Sequence, residues 1–180
     1  MNSGGVTSLK NKESLGKILF FLYILAVIWI ILFKFQLHID DIKLLSDFNF
    51  GTVNLQPFQA PRRINGEVDY SEIIYNVLIF IPFGILLPVV SKKMGWLRKI
   101  GGILLFTILL ETSQYLFSLG ACDITDVITN LTGGLIGLIS YSTLKKWIEE
   151  ETLDRYLIPI GYILFIFFLF LFVIIMNIHI

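Results

Sequence analysis

The chain has 180 residues, of which 56% are hydrophobic and only 16% charged, too little charge to clothe a water-soluble domain of this size. Its 14 basic and 14 acidic side chains cancel, which argues against nucleic acid as a main partner, because phosphate binding asks for a basic surplus. The one cysteine, Cys122, excludes an internal disulfide, and no Cys/His spacing of the metal-binding kind is present.

Crossing about 30 Å of hydrocarbon takes roughly 20 mostly apolar residues in a helix. Five stretches meet that requirement: Lys17 to Phe35, Glu72 to Val90, Leu97 to Phe117, Ile124 to Leu144 and Leu157 to Ile178. The first follows a basic stretch but has no small-residue cleavage site after it, so it reads as a span and not as a signal peptide. The expected fold class is all-α, a polytopic membrane helix bundle of about five transmembrane helices in a single domain over residues 1–180. The fifth stretch is apolar on every side and should face lipid. The second and fourth are interrupted by polar residues, Pro and Gly, and belong in the protein interior.

Lysine and arginine in short loops set orientation. Lys10, Lys12 and Lys17 lead into the first span. Lys92, Lys93, Arg98 and Lys99 crowd the turn between the second and third, and Lys145, Lys146 and Arg155 lie between the fourth and fifth. The connection after the third span and the C-terminus carry none. This alternation predicts an inside N-terminus and an outside C-terminus. The long segment from Lys34 to Ser71 is placed outside, and its Phe50, Val53, Leu55 and Phe58 suggest an amphipathic or extended stretch against the outer membrane surface.

This topology brings polar residues of three spans to one depth. Asn76 starts the second span at its outer end, Glu111 and Gln114 occupy the outer half of the third, and Asp123, Asp126 and Asn130 begin the fourth. At about 1.5 Å per residue, Glu111 lies on the order of 10 Å below the outer helix end. Glu111 and Gln114 are spaced i, i+3 on one face, and Asp126, Asn130, Gly133 and Gly137 form a single stripe. The Gly133/Gly137 pair is a small-xxx-small pattern that admits a close helix neighbour. Asp123 followed by Asp126 resembles an N-cap with an acidic first turn. A carboxyl at mid-depth costs roughly 2.5–3.5 kcal/mol to insert, so Glu111 marks a site or a partner. Helix packing and capping are the plainer roles for the asparagines, the glycines and Asp123.

The same residues carry a family resemblance. Asn54-Leu55-Gln56-Pro57-Phe58, then Asn76, Phe80, Pro82 and Gly84, then Glu111 and Gln114, then Asp123, Asp126, Asn130, Gly133 and Gly134 resemble, in order and spacing, the VanZ-like family, named for the teicoplanin-resistance protein. The resemblance covers about Asn54 to Tyr141. It implies a multi-pass protein of the bacterial cytoplasmic membrane, linked to resistance against lipid-bearing glycopeptides. Many members have an arginine shortly before the acidic pair, whereas Phe117 to Cys122 has none here. An anion site in this chain would draw its cation from elsewhere, with Arg62 or Arg63 as candidates.

Three functional readings follow. In the first, Asn76, Glu111, Gln114, Asp123, Asp126 and Asn130 bind or shield the head group of an outer-leaflet membrane lipid or lipid-linked cell-wall precursor. No cofactor is expected, although a divalent cation would reconcile carboxylates with phosphate. In the second, a membrane enzyme uses Glu111 as general base and Asp126 to orient it or hold metal. No Ser–His or Cys–His pair, phosphatase-type Arg/His signature or HExxH motif supports it. In the third, the polar residues join helices and the protein recruits partners. A transporter would call for inverted repeats, which the sequence lacks.

Overall fold

The computed structural model describes residues 3–33, 51–58, 63–64, 67–68, 70–117, 119 and 121–178. Five helices dominate the described residues: α1 (Ser3–Phe33), α2 (Ser71–Val90), α3 (Trp96–Leu116), α4 (Ile124–Leu144) and α5 (Glu150–Ile178). Short strands flank them: β1 (Val53–Asn54), β2 (Arg63–Ile64), β3 (Glu67–Val68) and β4 (Cys122–Asp123). The all-α reading holds for the bulk of the chain. The strands pair as β1 with β4, parallel, and β2 with β3, antiparallel.

Glu13–Leu32 of α1, all of α2 and α4, and Glu150–Leu171 of α5 are long and apolar enough to cross a membrane. Helix α3 is not in this set, which leaves four such helices where five spans were expected. Its 21 residues reach about 31 Å at the usual helical rise, so length is not the shortfall. Arg98, Lys99, Thr107, Glu111, Thr112, Ser113 and Gln114 lower its apolarity. A second difference concerns Arg155. It was expected in a loop, but α5 begins at Glu150 and carries it inside the helix.

The spine of the bundle is the pair α2 and α4, the two helices expected in the interior. Their contact is made at glycine. A Cβ at Gly133 or Gly137 would overlap the carbonyl oxygen of Val77 or Ile81, and one at Gly84 would overlap the carbonyl of Gly134. The small-xxx-small stripe therefore brings backbone against backbone, which gives dispersion contact where lipid offers no hydrophobic drive. On its other side Gly134 admits Ile103 of α3, whose Cγ2 would be 2.6 Å from an added Cβ. Around this spine a core forms from Val27 and Ile31 of α1, Phe80, Phe83 and Leu87 of α2, Ile103 and Leu110 of α3, and Leu138 of α4. Phe83 and Phe106 stack with centroids 4.9 Å apart. Pro82 and Pro88 lie within α2 without ending it.

Helix α5 packs chiefly through its first turns, where Leu153 and Ile158 join Val89 and Tyr141. Beyond that point Ile163, Ile166, Phe167, Phe170 and Val173 are exposed. That exposed apolar surface is consistent with the lipid-facing position expected from its uniform apolarity.

Candidate functional site

The predicted polar residues gather at the end of the bundle opposite the lysine-rich turns. Helix α4 starts there because Asp123 caps it: the residue is extended (φ −112°, ψ 125°) and its carboxylate accepts from the Thr125 N–H at 2.7 Å. That bond satisfies one of the donors a helix N-terminus leaves open. Asp126 follows in the first turn, where the positive end of the helix dipole favours a carboxylate. The expected cap and acidic first turn are both present.

Strand β4 carries Asp123, and β1 lies beside it with Val53 opposite Cys122 and Asn54 opposite Asp123. The flanking N–H of Cys122 donates to Thr52 O at 2.9 Å, and the N–H of Gly51 donates to Tyr115 O at 3.0 Å. The Asn54 amide donates to the second carboxylate oxygen of Asp123 at 2.9 Å. Its own carbonyl oxygen accepts from the Gln56 N–H at 3.1 Å. The Phe58 N–H then donates to Thr125 Oγ1 at 3.1 Å. The segment from Asn54 to Phe58 is thus bolted across the start of α4. Phe58 has φ +57°, a left-handed conformation that a bulky side chain rarely adopts and that marks a constrained position. Its ring is exposed, as are Val53 and Leu55.

Below this rim the carboxylates converge. Glu111 is 1% exposed and its Oε2 accepts from the Asp123 N–H at 3.0 Å. Asn76 donates to Asp126 Oδ1 at 2.8 Å, joining α2 to α4. Asn130 donates to Thr107 Oγ1 at 2.9 Å, joining α4 to α3. Gln114 donates to Ile31 O at 2.8 Å, joining α3 to α1. Ile103, Thr107, Leu110, Glu111 and Gln114 are the buried face of α3, as the i, i+3 spacing implied.

All six sequence-predicted residues lie at or just below this end. Glu111, Asp123 and Asn54 are hydrogen-bonded in one group, and Asn76 with Asp126 in another. Gln114 and Asn130 form separate bridges, each serving another helix pair. The sequence reading missed Asn54, Thr125 and Thr107 as partners. Asn54 was visible as the start of the Asn-Leu-Gln-Pro-Phe run, while the two threonines left no signal beyond their helical spacing.

The Cys122 thiol pKa is pushed up by burial first and then by the charges of Glu111, Asp123 and Asp126. Among the described residues no three His, Cys, Asp or Glu are arranged to hold a metal ion. Arg62 lies outside the described residues, and Arg63 is described only through the β2–β3 pairing. The arrangement can present carboxylate and amide oxygens to hydrogen-bond donors.

Long apolar helices around a polar, hydrogen-bonded end define a multi-helix integral membrane protein. The VanZ/LLP1 family model matches residues 20–145, and the chain belongs to that family. A relative, "Protein VanZ" from Enterococcus faecium, is 41% identical over 150 residues, covering 82% of this chain and 86% of the relative. No solved structure matches the chain.

Proposed function

We propose that this chain acts at the outer face of a bacterial cytoplasmic membrane. There its carboxylate cluster holds hydrogen-bond donors of a cell-envelope lipid or lipid-linked precursor head group and shields it from teicoplanin-type glycopeptides. The observation that carries the reading is the convergence of Glu111, Asp123 and Asp126 beneath a strapped, apolar-tipped loop. Three carboxylates favour hydroxyl, amide or ammonium donors over a bare phosphate. This points to the sugar or peptide portion of such a head group. Val53, Leu55 and Phe58 rest in the outer interface, where half-immersed apolar side chains anchor a loop. In this orientation α3 is a fifth span, whose Thr107, Glu111 and Gln114 are buried against its neighbours and away from lipid.

The test is binding of a purified polyprenyl-linked disaccharide-peptide precursor to delipidated protein, followed by native mass spectrometry. Wild type should retain the precursor. Glu111→Gln keeps an acceptor for the Asp123 N–H while removing the charge, so it should bind about tenfold more weakly, the worth of one charged hydrogen bond. Equal binding by both proteins would contradict the reading.

A second reading has its own support. Asn76, Asp126, Glu111, Gln114 and Asn130 each bridge two elements of the chain. The cluster would then be a scaffold that displays the Asn54–Phe58 loop to a protein partner. Under that reading Glu111→Gln lowers thermal stability and leaves precursor binding unchanged.

A further inference from the structure

At the lysine-rich end, two recesses run along one seam between α1, α2 and α5. The first is a cleft of about 200 Å³ lined by Glu13, Val89, Lys92, Glu151, Asp154, Arg155 and Ile158. The second is an apolar groove of about 400 Å³, whose walls include Tyr23, Ala26, Leu78, Leu86, Ile160 and Leu164. Gly16 lies between them, where α1 packs close on α2 and α5: a Cβ there would stand 3.3 Å from Val89 and 3.4 Å from Ile158. Leu19, one turn along α1, lines the groove and packs against Gly161. Leu78, Ile160 and Leu164 are exposed, so the groove opens sideways to the hydrocarbon. Its polar atom is spent, because the Tyr23 hydroxyl donates to Ile79 O at 2.6 Å.

We propose that this seam binds a zwitterionic, amine-bearing phospholipid, with its tail in the groove and its head group in the cleft. The carboxylate cluster at the opposite end has no part in it. The charges of the cleft decide the occupant. Lys92 is committed to Asp154 at 2.6 Å, and Glu13 to Lys17 at 2.7 Å. Arg155 takes part in no ion pair among the described residues. Its guanidinium offers the planar fork that suits a phosphate. Glu151, four residues earlier on the same helix face, offers a carboxylate to an ammonium. A lipid with a phosphate and a primary amine satisfies both, whereas a phosphatidylglycerol offers Glu151 only neutral hydroxyl donors, weaker than an ammonium. The juxtaposition of a mixed-charge cleft and a lipid-open apolar groove is what distinguishes this seam from the smooth outer face of α5.

The experiment is native mass spectrometry of the purified full chain in detergent, titrated with dioleoylphosphatidylethanolamine and, separately, dioleoylphosphatidylglycerol. The expected result is one ethanolamine lipid retained per protein at voltages that strip all others, with phosphatidylglycerol retained about tenfold less. Arg155→Ala, at an exposed position, should lower retention about tenfold without lowering the melting temperature. Ala26→Phe should fill the groove and lower it as well, and Glu151→Gln should erase the preference between the two lipids. Retention that is non-stoichiometric, indifferent to Arg155→Ala, or equal for both lipids would overturn the assignment. Should Ala26→Phe fail to fold, Arg155→Ala and Glu151→Gln decide the matter.

Discussion

The two ends of the bundle hold their carboxylates in different ways. At the β1–β4 end, Glu111, Asp123 and Asp126 each accept a hydrogen bond from a neutral donor: the Asp123 N–H, the Asn54 amide and the Asn76 amide. At the lysine-rich end every carboxylate of the α5 first turns that packs inward is met by a cation. Asp154 accepts from Tyr141 at 2.8 Å and from Lys92, while Glu150 pairs with Lys145 and lies 4.0 Å from Lys92. Burial favours the neutral amine of Lys92, but the hydrogen bond and charge of Asp154, with Glu150 and Glu151, outweigh it and raise its pKa. Charge pairs fasten the lysine-rich end, whereas hydrogen bonds from amides hold the carboxylates of the other.

The largest expected effect removes both ends together. Gly133→Leu drives a side chain into the Val77 carbonyl and the Phe80 Cβ, separating α2 from α4. Overpacking of this kind costs about 3 kcal/mol or more, so the variant should fail to accumulate as a monodisperse species in detergent chromatography.

Next in size is Asp154→Ala, which strips Tyr141 of its acceptor and Lys92 of its partner. Lys92 is partly exposed, so solvent recovers much of the loss, and about 1–3 kcal/mol is expected. Thermal unfolding should show it, while precursor binding at the far end stays at the wild-type level. Loss of that binding in a folded protein would break the division between the ends.

A smaller effect separates strain from contact. Phe58→Gly frees the backbone from a left-handed conformation and should raise stability by up to about 1 kcal/mol. Under the proposed function it also removes an exposed anchor, so membrane docking of the loop should weaken even as the melting temperature rises. Both falling together would show that the ring packs in the fold.

The smallest effect reads the field directly. Because burial, and after it the charges of Glu111, Asp123 and Asp126, raise the Cys122 pKa, the thiol should react slowly with maleimide at neutral pH and faster as pH rises. Glu111→Gln removes one of the raising charges, so labelling at a fixed pH should accelerate. The linkage sign follows: the folded thiol holds its proton above the ordinary thiol pKa, so this contribution to stability is complete below that value and is lost as pH climbs through the raised one.

Much of this arrangement is legible in the sequence because helical periodicity is a strong signal. Asp126, Asn130, Gly133 and Gly137 repeat on one face, and that face is where α2 and α3 sit. Shared depth also brought Asn76 to Asp126 across two helices. The β1–β4 pairing was not legible. Two-residue strands carry no alternation, and Asn54 meets Asp123 across 68 intervening residues. The Tyr141–Asp154–Lys92 fastening was missed for another reason. Lysines in short loops mark topology in a sequence, and the stretch before Leu157 reads as a loop, whereas α5 begins at Glu150 and sets Asp154 beside the buried Leu153. Helix α3 shows the limit of hydropathy: Thr107, Glu111 and Gln114 lower its mean apolarity although they are buried against neighbouring helices.

The most direct test of the central claim is teicoplanin susceptibility of a sensitive Gram-positive host expressing matched levels of wild type, Glu111→Gln and Asp154→Ala. The account predicts that wild type and Asp154→Ala raise the inhibitory concentration while Glu111→Gln does not. Full protection by Glu111→Gln, at equal expression, would contradict it.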